Sequence, residues 1–597
     1  MDEYVKRYEQ YTAAAEHKRK QAGSSGNLRL LVFLAGAALT VFLFIESGIL
    51  SGFLSLAAAA IAFILLVYRH NRLVSELRRL EGMAGINRQY TDRLQSGWTG
   101  FDDCGQEFAD PSHPYTADLD IFGPKSLFQW LNTAHTQYGR IMLKELLEKP
   151  DKSAESVGKR QQAVKELAGK LDFCQDLQCE GMLSKNAAVD PASLLEYAEE
   201  PTKRFQHDWM QYLFYLLPAS VILTFVLFFL GSSIPLFVPL LLLIVQMVVC
   251  AVGYKKNAVI INTVYGMKKH LDAYGNLLQR IEREAFADEY LLQLRQELFH
   301  ESKPASDSLK KLESIANAID IKFSTVLYFL LNFGLLWDYH CVFALEEWKN
   351  RYGAQIRKWL EAVGRIEALS SLAVIGQIQP EWAFPTFVET GLKFSAEQMG
   401  HPLIPFDACV RNDFEISSGA CVITGSNMSG KTTLLRTVGI NLVLAYAGAP
   451  VFARKLECSF MDIFTSMRVR DDLNSGISTF YAELLRIKMI IDHSHLKQPM
   501  IYLIDEIFKG TNSLDRIAGA KSVLKHLGKN WIIGLISTHD FELCDLEQQS
   551  RVNIKNYHFT EKYVNNEIQF DYKIHPGRCK TANARYLMRM VGIELDE

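Results

Sequence analysis

Apolar residues along this chain collect in a few long runs separated by highly charged stretches. Leu30–Ile45 carries no charged residue, and beyond Glu46 the run Ile49–Tyr68 is again charge-free. Met210–Tyr254 has no Asp, Glu, Lys or Arg over 45 residues, and divides at Gly231-Ser232-Ser233 into Tyr212–Leu230 and Ile234–Gly253. A helix needs about 20 apolar residues to cross the ~30 Å hydrocarbon core of a bilayer. Three runs meet that length. The first, at 16 residues, does so with local thinning of the bilayer. The short joints predict two transmembrane helical hairpins. A fifth run, Val326–Trp337, has only 12 residues, which predicts a core or interfacial helix rather than a span.

The flanks set the orientation. Lys18, Arg19, Lys20 and Arg29 precede the first hairpin, and Arg69, Arg72, Arg78 and Arg79 follow it. Lys203 and Arg204 precede the second, and Lys255 and Lys256 follow it. Basic residues stay on the cytoplasmic side. The pattern predicts a multi-pass protein of the cytoplasmic (inner) membrane, four spans per chain, with both termini and all large segments in the cytoplasm. No Asp, Glu, Lys, Arg or His lies within the spans, which favours anchoring over a proton or ion path. The highly charged first 27 residues argue against a cleaved leader.

Between the runs the periodicity is helical. Residues 1–27 read as a polar N-terminal helix, 28–70 as the first hairpin, and 71–110 as a helical linker with Leu73, Leu77 and Leu80 on one face. Residues 111–208 read as a helical core, with Leu127, Trp130, Leu131 and Ala134 at helical spacing. The second hairpin follows at 209–254, then a second helical region at 255–375. Pro380, Pro385, Pro402 and Pro405 mark a change. From 376 to 597, short β-branched runs alternate with helical patterns, the α/β signature. Hydrophobic residues make up 49% and charged residues 22% of the 597, which excludes a disordered chain. The net charge is −3, so any DNA contact must come from a local patch. Ten cysteines form no disulfide framework, and Cys174 and Cys179 lack a second pair at zinc-ligand spacing, so reduced thiols are expected.

The α/β region carries candidate chemistry. The buried-strand run Ala420–Thr424 leads into Gly425-Ser426-Asn427-Met428-Ser429-Gly430-Lys431-Thr432 and then a helical pattern from Thr433. This is GxxxxGKT in a strand–loop–helix setting. Its glycines let backbone N–H groups and a helix N-terminus face phosphates. Lys431 would reach the β- and γ-phosphates of ATP, and Thr432 would ligate Mg²⁺. A second apolar strand, Met500–Ile504, ends in Asp505-Glu506. Asp505 would hold Mg²⁺ and Glu506 would orient and deprotonate the attacking water. A third run, Trp531–Ile536, ends in Ser537-Thr538-His539. His539 stands where a strand tip could sense the γ-phosphate, although a lone histidine is usually structural. His493 and His495 read as a solvated turn rather than a metal site.

Four stretches in order resemble the ATPase domain of the MutS family, DNA mismatch-repair proteins within the ABC-type ATPase class. They are Thr424–Thr433, Asp471–Phe480, Asp505–Ser513 and Ser537–Leu543. The resemblance is strong over 376–597 and weak over 115–200, where Asp118–Gly123 and Gly139–Pro150 look like the start of the family's core. Ile366–Ala373 looks like its returning helix, and Thr581–Val591 like its last helical segment. It implies an α/β P-loop ATPase domain C-terminal to an all-α core. It also implies a homodimer in which Ser478 reaches the partner's γ-phosphate, with Asn427 beside the phosphates and His539 as a switch. On the residues alone, Ser478 could instead cap the helix near Thr479, with Glu483 a solvated helix residue.

The chain departs from the family at several points. Ser429 replaces a loop glycine, and Phe508-Lys509 stands where Gly-Arg is usual. Cys409 stands near the family's adenine-stacking aromatic, with Phe406 and Phe414 close by in sequence. No mismatch-reading domain with a Phe-x-Glu wedge is recognisable. The leading expectation is a membrane-anchored MutS-like ATPase, with DNA as an open partner. The alternatives are an ATPase driving a membrane process and a nucleotide-gated membrane scaffold.

Overall fold

The computed structural model describes residues 1–184, 190–200, 209–468, 479–509, 511–549, 552–564 and 567–578. Lys203, Arg204, Ser478, Asp471–Ile477, Gly510 and Thr581–Val591 lie outside the described residues.

The first two apolar runs sit on two unbroken helices, Asp2–Glu46 and Ile49–Leu94, joined at Ser47-Gly48. Gly48 takes φ 93°, a conformation that costs glycine little. The helices pack closely where residues are small: a Cβ on Gly36 would stand 2.8 Å from that of Ala59. Beyond the apolar part, Lys18 pairs with Glu76 at 2.6 Å and Arg19 with Glu81 at 2.6 Å. The expected divisions at 27/28 and 70/71 are therefore chemical changes along continuous helices, not breaks. The same holds at 254/255, where helix Phe237–Arg283 runs straight through.

Among the described residues, four helices are long and apolar enough to cross a membrane. Their apolar windows are only 6–22% buried, so leucine and phenylalanine side chains point outward. That inverts the arrangement a water-facing helix adopts.

Helices between 127 and 199 and from 289 to 378 form the middle of the molecule around Ile356–Ile378. The first hairpin is tied to this body at its far end. Arg93, buried, donates through Nε to Trp130 O at 2.8 Å and through its terminal amine to Asn132 O at 3.0 Å.

The C-terminal part is α/β. A six-stranded sheet has the order Glu567–Pro576, Ile554–Val564, Gly419–Thr424, Ile532–Thr538, Met500–Asp505, Asp462–Ser466. All neighbours are parallel except the first pair. Ala420–Thr424 and Met500–Ile504 are buried throughout, as continuous apolar strands covered on both faces must be. A four-stranded sheet built from Thr386–Phe387, Lys455–Cys458, Phe394–Met399 and Asn412–Ile416 covers its flank.

Candidate functional site

Three parallel strands end side by side. Gly419–Thr424 delivers the glycine-rich loop, Met500–Asp505 delivers Asp505 and Glu506, and Ile532–Thr538 delivers His539. The C-terminal ends of parallel strands are where open α/β sheets place their ligands.

The loop turns through Gly425 at φ 154°, Met428 at φ 67° and Gly430 at φ 111°, then enters helix Lys431–Ala447. A Cβ on Gly425 would sit 2.8 Å from Ser429 Oγ, so the wrap requires glycine there. Asn427, Met428 and Thr433 are exposed and Ser429 is buried. Ser429 Oγ has no hydrogen-bond partner among the described residues. Lys431 folds over the loop, its Nζ donating to Gly425 O at 2.9 Å and Ser426 O at 2.8 Å. Burial pushes its ammonium below the ordinary lysine range, against the pull of Glu506, Asp505 and Glu561.

Thr432 Oγ1 donates to Asp505 Oδ2 at 2.7 Å, and Ser537 Oγ donates to Asp505 Oδ1. A hydroxyl and a carboxylate so placed, below a loop with a buried orphan hydroxyl and a cation, form an oxygen-rich corner suited to a hard divalent ion beside phosphate. Glu506 occupies the left-handed region at φ 50°, with its N–H held by Ser537 O at 3.0 Å. Its carboxylate meets His539 Nε2 at 3.0 Å and Lys509 Nζ at 2.7 Å. Burial raises its pKa, but Lys509 and His539 outweigh that effect and hold it below the usual range.

Beside the loop lies a cavity of about 260 Å³ lined by His401, Cys409, Thr433, Phe559 and Tyr572 among others. Burial and neighbouring Arg436 push the His401 imidazole down to about 4, so this wall is neutral at physiological pH. Cys409 lines the cavity, but Phe406 and Phe414 do not. Phe406 stacks on Phe452 at 5.5 Å with Arg411 over it, and Phe414 packs against Phe394 at 6.3 Å. The aromatic rings that face the cavity come from the C-terminal hairpin.

Several contacts were invisible in the linear motifs. Ser426 Oγ donates to Glu561 of the Ile554–Val564 strand. Asp118 accepts from Thr465 Oγ1 at 2.7 Å, Met467 N at 3.1 Å and Arg468 N at 2.9 Å. Asp120 pairs with Arg436 and Arg468. The segment around 118 thus docks on the α/β region immediately before 469–478. The alternation of Tyr557, Phe559, Phe570 and Tyr572 was the available sequence signal for the hairpin.

Two expectations need correction. Glu483 is buried, not solvated, because helix Thr479–Ser494 turns it toward the body. His493 is no solvated turn: its Nε2 meets Asp462 Oδ2 at 2.9 Å and its ring lies 4.6 Å from Phe464. Among the described residues no group of His, Cys, Asp and Glu is arranged to hold a metal by itself.

Residues 421–594 match the family model for MutS domain V. The chain is 29% identical over 266 residues to the DNA mismatch repair protein MutS of Methanosarcina mazei, covering 43% of this chain and 29% of that protein. It is 30% identical over 239 residues to the DNA mismatch repair protein MutS of Aquifex pyrophilus, covering 39% and 27%. It is 31% identical over 248 residues to that of Listeria innocua, covering 40% and 28%. The chain therefore spans less than a third of the length of these relatives.

Proposed function

Through its C-terminal region this chain belongs to the MutS family, and from that premise we propose that it is a membrane-anchored, Mg²⁺-dependent ATPase working as a homodimer. The observation that carries the reading is the convergence of Lys431, the Thr432–Asp505 pair and the Glu506–His539 pair on one edge of the sheet. Lys431, now satisfied by loop carbonyls, would exchange them for phosphate oxygens. Thr432 and Asp505 would hold Mg²⁺, which would supply charge neutralisation at the phosphates. Glu506, kept ionised by Lys509 and His539, would accept the proton of the attacking water. The neutral cavity lined by Phe559 and Tyr572 would take the base.

By the family resemblance, Ser478 of one protomer completes the charge cage of the other. The relatives' mismatch-repair role makes DNA the first partner to test. A second reading, that nucleotide turnover drives a membrane process without DNA, is favoured by the unbroken helix Ile49–Leu94. It runs from its exposed apolar half to Arg93 in the helical body.

The test is the ATPase rate of the full chain in nanodiscs, with and without homoduplex and mismatched DNA, across a salt series. Mg²⁺-dependent turnover lost in Lys431→Ala is expected. Turnover unchanged by that substitution would reject the phosphate-loop reading. Salt-sensitive stimulation by DNA would support the DNA-coupled form, and indifference to both DNAs would support the second.

A further inference from the structure

Helix Thr325–Leu335 is built inside out. Its polar side chains Tyr328 and Asn332 are buried, while Val326, Phe329 and Leu330 are 74%, 50% and 67% exposed. The buried polar face is fully employed. Tyr328 Oη donates to Asp338 Oδ2 at 2.7 Å, Asn332 Nδ2 donates to the same oxygen at 3.2 Å, and Asp338 N donates to Asn332 Oδ1 at 3.1 Å. No charged residue occurs from 323 to 337. A helix against water would show the opposite arrangement.

Its position explains the inversion. Lys322, just before the helix, donates to Asn262 on the long helix Phe237–Arg283 at 3.3 Å, beyond the basic pair Lys255-Lys256. Near the far end, Gln246 Nε2 donates to Phe333 O at 2.6 Å and Cys250 Sγ approaches Asn332 O at 3.7 Å. Asn262 to Gln246 is roughly 24 Å along a helix rising 1.5 Å per residue. Gln246 lies about 10 Å below Gly253, where the apolar run ends. At Leu336 the chain turns through φ 54° and is wholly buried. Helix Trp337–Tyr352 then returns, with Tyr339 Oη donating to Val249 O at 2.9 Å and its ring stacked on Phe214 at 4.2 Å.

We infer that Thr325–Leu335 and the turn at Leu336 form a re-entrant dip into the cytoplasmic leaflet, with Val326, Phe329 and Leu330 against lipid acyl chains. This rests on the membrane reading of the second hairpin. An 11-residue helix is about 16 Å long and cannot cross ~30 Å of hydrocarbon. Non-helical backbone at membrane depth is tolerated where protein buries it, and Leu336 is so buried. Asp338 is likewise hydrogen-bonded inside protein rather than facing lipid, as an ionisable group at that depth requires.

The test places a nitroxide on Val326→Cys or Leu330→Cys in the full chain in lipid vesicles, read as the difference from the unsubstituted chain treated identically. Collisions with oxygen, which concentrates in lipid, are compared with collisions with a water-soluble nickel chelate. Val41→Cys in the first hairpin and Lys311→Cys on the preceding helix serve as references. Leu330 should match Val41 in favouring oxygen, Val326 should be intermediate, and Lys311 should favour nickel. Leu330 resembling Lys311 while Val41 favours oxygen would overturn the dip alone. Label at 326 and 330 shielded from both reagents would mean a protein covers this face, and would also overturn it. Nickel access at Val41 as well would overturn the membrane reading and the dip together.

Discussion

Lys509 Nζ lies 2.7 Å from Glu506 Oε2 while His539 Nε2 lies 3.0 Å from Oε1, so the carboxylate is gripped at both oxygens. Lys509 is one of the residues that departs from the family pattern, and here it pulls the Glu506 pKa down against the effect of burial. Lys509→Ala should raise the Glu506 pKa and move the acid limb of kcat/KM for ATP hydrolysis to higher pH. Lys509→Arg should restore it. An acid limb that stays in place in Lys509→Ala would remove Glu506 as the titrating base.

The Thr432–Asp505 contact predicts a metal phenotype distinct from a nucleotide phenotype. Asp505→Asn should raise the Mg²⁺ concentration for half-maximal turnover by about tenfold or more, with nucleotide still bound. Titrating Mg²⁺ at saturating ATP separates the two. An unchanged Mg²⁺ requirement would remove Asp505 from the metal site.

The proposed sharing of the site between protomers predicts complementation. Ser478→Ala and Glu506→Ala chains, each nearly inactive alone, should recover turnover when mixed, because one of the two hybrid sites is intact. Turnover equal to the sum of the separate variants would reject a composite site.

Glu367 predicts a pH-dependent stability away from the sheet. It is buried and accepts from His135 N at 3.0 Å, Thr136 N at 3.3 Å and Thr136 Oγ1. Burial raises its pKa to about 7, against those hydrogen bonds. Between the ordinary glutamate value of 4.5 and about 7 the folded chain binds the extra proton, so stability falls as pH rises through that window. The slope approaches about 1.4 kcal/mol per pH unit at most. Glu367→Gln should flatten this component of the melting temperature against pH. An identical profile would show that Glu367 is not the linked group.

Gly534 predicts a steric effect in the central sheet. A Cβ there would lie 2.0 Å from the Tyr502 ring on the adjacent strand. Gly534→Ala should destabilise by about 1–3 kcal/mol, the usual cost of overpacking a core. Adding Tyr502→Leu should recover part of the loss in thermal unfolding. No loss in the single variant would mean that the ring has room to move.

The sequence by itself determined whatever depends on contiguous residues. A charge-free run long enough for a bilayer is a local property, and so is a glycine-rich loop between an apolar strand and a helix. The acidic pair after Met500–Ile504 and the histidine after Ile532–Thr538 were legible for the same reason: each ends a buried strand, and parallel strands in one sheet bring their ends together. Tertiary structure alone decided the partners that come from afar. Glu561 meets Ser426 across 135 residues, and Asp118 meets Thr465 across 347. It also decided that Phe406 and Phe414 turn away from the cavity while Phe559 and Tyr572 face it, since aromatic side chains near a loop in sequence are free to pack elsewhere. The apolar run at 326 read as core or interface from length alone. Which of the two depends on which helical face is covered: Asp338 holds the Tyr328 and Asn332 side chains inward, and Gln246 and Cys250 donate to the backbone carbonyls of Phe333 and Asn332.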